Sequence, residues 1–350
     1  MTSSPHNNNE ESPSRLSLAG VTVRFGETLA LEGITFDVEP GERLAIIGAS
    51  GAGKSTLFRA LTRTVALDGG KVALGERDLY ALSKKELKHV RRRVGTIYQA
   101  YNLVPQLPAG MNAALGEVGG MRSAKTLRTF LRGPERALAG RVEAALDRVG
   151  LAGLASQRTA ELSGGQQQRV GVARAMAADP PIMLMDEPFG AVDPITRHRL
   201  QDEFLRIQGE IKKTIVFVTH DIDEAIKMGD KIAILKEGGI LAQYDTPENI
   251  LTNPASDFVS SFVGADRVLK RLSLLLVRDM ELERLNGTAV EGLPLIDGRL
   301  TVRDALSELI GARTTRGVVE GENGDGRRLL TLDAIEALSG GASAAGSARG

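Results

Sequence analysis

The sequence predicts an open α/β fold built on a mostly parallel sheet, and three observations predict it. Four runs are continuously apolar, Leu44-Ala-Ile-Ile47, Ile182-Met-Leu-Met185, Ile215-Val-Phe-Val218 and Ile232-Ala-Ile-Leu235, as strands covered on both faces are. Helical patterns lie between them, such as Leu200, Phe204, Ile207 and Ile211 along one face. The first run opens into Gly48-Ala-Ser-Gly-Ala-Gly-Lys-Ser-Thr56, a glycine-rich loop that leads into Leu57, Leu61 and Val65 at helical spacing. In such a sheet ligands bind beyond the carboxyl ends of the strands.

Composition agrees with a soluble globular chain of two or three domains: 350 residues, 42% hydrophobic and 25% charged. Lys plus Arg and Asp plus Glu number 44 each, so a formal charge of zero gives no general attraction to nucleic acid or anionic lipid, and any such partner must be held locally. The absence of Cys excludes a disulfide framework, a thiolate metal site and a thiol nucleophile. The polar, acidic first residues lack the basic patch and apolar run of a signal peptide, so secretion is not expected. No stretch approaches the roughly 18 to 20 apolar residues that cross a bilayer, so membrane association is expected through a partner.

Along the chain, residues 1–15 read as a disordered tail of Ser, Asn, Pro and Glu. Alternation in Val21, Val23 and Phe25, and again in Ile34, Phe36 and Val38, marks two half-buried strands. The run Lys84, Lys85, Lys88, Arg91, Arg92 and Arg93 has helical spacing, carries Glu86 and no interleaved aromatics, and so reads as a solvated face rather than a nucleic-acid site. Residues 108–162, rich in Ala, Leu, Arg and Glu, read as a helical insertion. The buried-strand pattern stops near Asp266, which divides the chain into a domain at 16–265, a smaller unit at 266–338 and a Gly, Ala and Ser tail at 339–350.

The glycine-rich loop curls so that successive N–H groups from Gly48, Ala49, Ser50, Gly51, Ala52 and Gly53 point inward at a helix N-terminus, an arrangement that holds phosphates. Lys54 reaches the β- and γ-phosphates, Ser55 ligates Mg²⁺, and Thr56 completes the motif. The run ending at Met185 delivers Asp186 and Glu187 to the same sheet edge. Adjacent strand residues face opposite ways, so Asp186 is expected to turn towards Mg²⁺ and Glu187 towards an attacking water. Asp-Glu-Pro is otherwise a common loop opening. His6, His89 and His198 have no partners at ligand spacing, so no further metal site is expected.

Leu162-Ser-Gly-Gly-Gln166, lying between this loop and the acidic pair, resembles the signature of the ABC ATPase family, and the likeness extends over about residues 16–265. Taken alone, the pentapeptide also reads as a helix N-cap. The resemblance implies a P-loop fold with a RecA-like core, an antiparallel β subdomain and a helical subdomain. It further implies ATP and Mg²⁺ as cofactors, and a homodimer in which Ser163, Gly164, Gly165 and Gln166 of one chain meet the nucleotide of the other. Residue by residue it implies that Gln99 senses Mg²⁺ and meets a membrane subunit, that His220 contacts the γ-phosphate, that Asp193 belongs to the loop after the acidic pair, and that Phe25 stacks on adenine.

Three segments are similar to motor subunits of glycine betaine, carnitine, choline and proline importers: Asp186-Glu-Pro-Phe-Gly-Ala-Val-Asp-Pro-Ile-Thr-Arg197, Val218-Thr-His-Asp-Ile-Asp-Glu-Ala-Ile-Lys227 and Asn253-Pro-Ala-Ser-Asp-Phe-Val259. Tyr98-Gln-Ala-Tyr-Asn-Leu-Val104 and the insertion with Met121-Arg-Ser-Ala-Lys-Thr-Leu-Arg128 resemble phosphonate importers instead. The resemblance implies two permease subunits, an extracytoplasmic solute-binding protein, no nucleic acid, and a peripheral place on the cytoplasmic face of the membrane. Export and a soluble, non-transport ABC role stand as alternatives. Leu300-Thr-Val-Arg-Asp-Ala-Leu306, with Gly317-Val-Val319 and Leu329-Leu-Thr-Leu-Asp333, resembles one CBS motif, so the unit at 266–338 is expected to be a small CBS-like α+β regulatory domain or a dimerisation domain.

Overall fold

Strands β1, Leu16–Phe25, and β2, Thr28–Val38, pair antiparallel with Leu16 opposite Val38 and Phe25 opposite Thr28. A register shift between Leu18 and Val21 keeps both inside despite their odd spacing, and Val23, Leu31, Ile34, Phe36 and Val38 are buried with them. Each such aliphatic side chain contributes about 1.5–3 kcal/mol by leaving water. The computed structural model describes residues 15–97, 103–118, 136–177, 179–190, 193–285, 292–320 and 326–340.

Strand β3, Arg43–Gly48, is fully apolar beyond its first residue and leads through the glycine-rich loop into helix α1, Lys54–Leu61. The helix stops at Leu61, short of Val65, because Arg63 at φ 51 turns the chain away; Val65 still packs on the core from outside the helix. Strands β4, Gly69–Leu74, and β5, Arg77–Asp78, complete a four-stranded sheet in the order β2-β1-β4-β5. Helix α2, Lys84–Val90, starts in a capping box in which Ser83 accepts from the Glu86 N–H and Glu86 accepts from the Ser83 N–H.

Strand β6, Val94–Ile97, is followed by α3, Ala109–Val118, and α4, Arg136–Arg148, the described helices of the insertion. Asn112, fully buried, ties the segment together by accepting from the Val104 N–H at 2.8 Å and donating to the Val104 carbonyl at 3.0 Å. Then come α5, Gly164–Ala177; β7, Ile182–Asp186; α6, Pro194–Ile211; β8, Thr214–Val218; α7, Ile222–Met228; β9, Lys231–Lys236; and β10, Ile240–Asp245. The second sheet has six strands in the order β10-β9-β3-β8-β7-β6, and the five from β9 to β6 run parallel to one another. The four apolar runs of the sequence are its centre.

By contact density the chain divides into Met1–Asp221 with Met228–Tyr244, and Ile222–Lys227 with Asp245–Gly350. The second unit therefore takes in helices α8, Pro247–Thr252, and α9, Asp257–Val263, which lie ahead of the residue 265/266 boundary read from the strand pattern, because α8 packs on α9 and on α10, Arg267–Leu272. Lys270 is buried there and donates to the Val263 carbonyl and to Asp266 Oδ1, both at 2.8 Å. Strands β11, Glu283–Arg284, and β12, Leu295–Ile296, helix α11, Val302–Gly311, strands β13, Arg316–Glu320, and β14, Arg327–Thr331, and helix α12, Leu332–Gly340, follow. The sheet order is β11-β14-β13-β12, with Ile296, Val302, Ala305, Leu309, Val319, Leu330 and Ile335 inside. A Cβ on Gly317 would lie 2.7 Å from Ile296 Cγ1 and 3.0 Å from Leu309 Cδ2, which is why this position of β13 carries no side chain.

Candidate functional site

Strand register builds the site. Val218 of β8 lies opposite both Ile46 of β3 and Asp186 of β7, so the three strands end level with one another. The ladder continues past them: the Thr219 N–H donates to the Ile46 carbonyl at 3.1 Å and the Glu187 N–H to the Val218 carbonyl at 2.9 Å. The phosphate loop, the acidic pair and His220 consequently leave the sheet at one edge, as expected from the sequence.

At the loop, a Cβ on Gly48 would lie 2.4 Å from the Leu235 carbonyl oxygen, and one on Gly53, at φ 93, would lie 2.5 Å from that of Ala30. Only glycine lets the loop settle this closely on β2 and β9. Lys54 folds back to donate to the carbonyls of Gly48 at 2.7 Å and Ala49 at 3.0 Å. Burial pulls its ammonium below the usual lysine range, against the opposing pull of Glu187 and Asp186. Burial, and then the charge of Glu187, pushes the Asp186 carboxyl up, while Arg59 and Lys54 hold it down. Ser55 and Asp186 are hard oxygen donors beside the phosphate loop, a donor set that fits a Mg²⁺ ion bound with phosphate.

Glu187 does not extend the strand. It takes φ 47, in the left-handed region, so its divergence from Asp186 comes from a turn and not from strand alternation, contrary to the sequence expectation. The turn brings Glu187 Oε1 to 3.4 Å from His220 Nδ1. Asp221, next in sequence, donates its N–H to Thr219 Oγ1 at 3.1 Å and accepts from Arg197 Nη1 at 3.4 Å.

Ser163 caps α5: its Oγ accepts from the Gln166 N–H at 3.3 Å, and Gln166 Oε1 accepts from the Ser163 N–H at 2.9 Å. The local reading as a helix cap is therefore correct, and it leaves the first N–H groups of α5 facing a cleft of about 860 Å³. Gly164, Gly165, Arg169, Thr196 and Arg206 line it together with Asp193, which caps α6 by accepting from the Thr196 N–H at 3.0 Å. That bond draws the Asp193 carboxyl below its ordinary range. No residue of the phosphate loop lines this cleft.

Phe25 is half exposed at the end of β1, as an aromatic that offers a face to a ligand must be. Gln99 lies outside the described residues, as do Tyr98 and residues 121–128. Two groups went unnoticed in the sequence. Gln168, 2% exposed, donates from Nε2 to the Pro188 carbonyl, which joins the signature helix to the loop of the acidic pair. Arg197 joins α6 to the residue after His220. A glutamine in a polar run and an arginine on a long helix look like surface residues; only their tertiary partners reveal them.

The profile of the family described as ABC transporter matches residues 31–190. The trimethylamine N-oxide transport system ATP-binding protein TmoW of Pelagibacter ubique is 39% identical over 255 residues, 71% of this chain and 71% of that one. The glycine betaine/carnitine transport ATP-binding protein GbuA of Listeria monocytogenes is 42% identical over 249 residues, which are 71% of this chain and 59% of its own length. Among solved structures, the dimeric bacterial ABC transporter cassette MJ0796 aligns with a TM-score of 0.55 and 33% identity over 66% of this chain and 98% of that one. The same cassette is known as a dimer in a post-hydrolysis state bound to ADP and Pi.

Proposed function

This chain belongs to the ABC transporter ATP-binding family, and on that premise we propose that it hydrolyses ATP and couples hydrolysis to solute import through separate membrane-spanning subunits. The observation that supports hydrolysis most is the convergence of Lys54, Asp186, Glu187 and His220 at one sheet edge, with His220 Nδ1 3.4 Å from Glu187. The loop N–H groups and Lys54 bind and orient the phosphates. Ser55, Asp186 and Gln99 would hold Mg²⁺, which when bound neutralises charge on the phosphate oxygens.

Glu187 accepts a proton from the water that attacks the γ-phosphorus. The bond from that phosphorus to the bridging oxygen breaks, and ADP and inorganic phosphate leave. His220 steadies the carboxylate and contacts the γ-phosphate. A positioned base contributes about 10² to 10⁴ in rate, so Glu187→Gln should keep ATP binding and lower turnover by that factor. Near-normal hydrolysis by the purified variant would remove Glu187 from this role.

The signature cleft serves the nucleotide of a second copy, so the working unit is a homodimer. Two permeases and an extracytoplasmic solute-binding protein complete the importer, with this chain peripheral on the cytoplasmic face. Trimethylamine N-oxide, glycine betaine and carnitine, for which the relatives are named, share a methylated nitrogen; we read a solute of that class as the cargo. Uptake of labelled glycine betaine, choline and a phosphonate, compared between wild type and a chromosomal Glu187→Gln mutant, tests this. Loss of phosphonate uptake alone would transfer the assignment to that class.

The β12-α11-β13-β14-α12 order of the C-terminal unit, with Thr301 capping α11, supports reading residues 266–338 as a regulatory domain that carries one CBS-like motif. Adenine nucleotide binding by a Lys54→Ala variant, whose phosphate loop is disabled, would reveal a regulatory nucleotide site. Complete loss of binding in that variant would leave the unit without one.

A further inference from the structure

Helix α6 starts at the signature cleft. Asp193 caps it and lines the cleft, and Thr196, Arg199 and Leu200 line the cleft as well. Arg197, between them in sequence, does not. It lies one turn into the helix, where its N–H donates to the Asp193 carbonyl at 2.8 Å, and it heads a stripe continued by Gln201, Phe204 and Gln208, all three buried. The Phe204 ring meets Phe189, two residues after Glu187, edge to face with 6.3 Å between centroids. The helix is thereby seated against the loop of the acidic pair, and the guanidinium near its start turns to Asp221 instead of the cleft.

Arg197 Nη1 donates to Asp221 Oδ2 at 3.4 Å, and both side chains are only partly exposed. Asp221 is held at a second point, where its N–H donates to Thr219 Oγ1 at 3.1 Å. Thr219 is buried and is fixed in turn by the bond from its N–H to the Ile46 carbonyl of β3. His220 is the residue between these two. Its imidazole is largely exposed, and its polar contact among the described residues is Glu187 Oε1 at 3.4 Å. With so little around the ring to hold it, the direction of the imidazole follows from the backbone at Thr219 and Asp221. The sheet pins one side of that turn and Arg197 the other. An ion pair with this much exposure adds little to stability, so its contribution is a fixed geometry.

We propose that Arg197 is a positioning residue for His220: by holding the Asp221 carboxylate to α6, it fixes the turn that presents the imidazole to Glu187 and to the γ-phosphate. This rests on the reading of the site as one that hydrolyses ATP, with His220 at the γ-phosphate. Arg197 needs no contact with the nucleotide for this. It acts through Asp221, and it ties the aim of the imidazole to the helix whose cap lines the signature cleft.

Two measurements on the full chain test this. In steady-state hydrolysis, Arg197→Gln and Asp221→Asn should each lower kcat by about ten- to a hundredfold with little change in KM or in ATP binding, the scale on which a small misplacement of a reacting group acts. The two changes combined should cost no more than either alone, since both remove the same bond. In a His220→Ala background Arg197→Gln should cost nothing further, and Arg197→Lys, which keeps the charge, should recover part of the lost turnover. The melting temperature of Arg197→Gln should stay close to that of wild type. The second measurement is nuclear magnetic resonance of the histidine rings, which number four. The His220 signal, identified by its absence from His220→Ala, should move or broaden in Arg197→Gln and in Asp221→Asn, while that of His89 on α2 keeps its place.

An unchanged His220 signal in both variants would overturn the proposal. So would a further loss of turnover when Arg197→Gln is added to His220→Ala, which would place the action of Arg197 elsewhere, or a lowered melting temperature with kcat intact, which would reduce the pair to a structural tie. Failure of the hydrolysis reading is separate: a wild-type chain without ATPase activity would sink that reading, and the ring signals would still decide whether Arg197 sets His220.

Discussion

Glu187 occupies a backbone region that costs a residue with a Cβ about 1–2 kcal/mol, and two hydrogen bonds fix it there, from its own N–H to Val218 and from the Gly190 N–H to its carbonyl. The strain aims the carboxylate at His220, and it sets a second charge beside Asp186. A carboxyl raised in this way binds its proton more tightly in the folded chain than in the unfolded one. Stability therefore falls as pH rises from the ordinary carboxylate range through the raised value of Asp186, and stays lower above it. Glu187→Gln removes one of the two causes while keeping the turn, so the variant should melt higher than wild type at neutral pH, with a gap that narrows as pH falls through the carboxylate range. A gap that is constant with pH would show that charge repulsion is not its source. The acid pair, Lys54 and His220 were legible in the sequence because each follows a run whose apolarity predicts a buried strand. The left-handed turn was not, since nothing in Asp-Glu-Pro distinguishes it from a continued strand.

Helix α5 illustrates what element order leaves unsaid. Its N-terminus carries the signature, and four residues further on Gln168 crosses to the carbonyl of Pro188, beside Glu187. Its Oε1 is buried without a hydrogen bond, so the amide is retained at some cost in stability. Gln168→Leu should remove that orphan oxygen together with one hydrogen bond to the Pro188 carbonyl, two opposing effects on stability of about 1 kcal/mol each. Turnover at saturating ATP should nevertheless fall at least about tenfold, with little change in KM, because the acidic loop loses its tie to the signature helix. Thermal melting and steady-state kinetics on one preparation separate the two effects, and a loss confined to stability would reduce Gln168 to packing. The helical character of the insertion was readable from its composition, and so was the parallel sheet from its apolar runs. The end of α1 before Val65 was not, because hydrophobic spacing continued past a turn made at Arg63.

At the scale of the whole molecule, no residue of the phosphate loop lines the cleft at Ser163, Gly164 and Gly165, which the proposed function makes the second half of the nucleotide site. A site assembled from two copies and a site assembled within one chain differ in what the signature does to ATP affinity. Gly164 offers a clean probe, because a Cβ there meets nothing within 4 Å and its φ is not in the left-handed region, so a side chain enters the cleft without disturbing the fold. Gly165 is a poorer one, as its Cβ would lie 3.3 Å from Thr196 Cγ2. On the two-copy reading, Glu187→Gln should form a dimer on adding ATP and Mg²⁺. Addition of Gly164→Glu to it should abolish that dimer, by putting a carboxylate against the phosphates, while the melting temperature and the affinity of the monomer for ATP stay unchanged. In the otherwise wild-type chain Gly164→Glu should lower turnover by at least about a hundredfold, the scale on which loss of a transition-state contact acts. Light scattering and nucleotide titration on the same samples decide the matter: weaker ATP binding by the monomer would mean that signature and phosphate loop meet within one chain, and an undiminished dimer would mean that the cleft faces something other than the second copy's nucleotide.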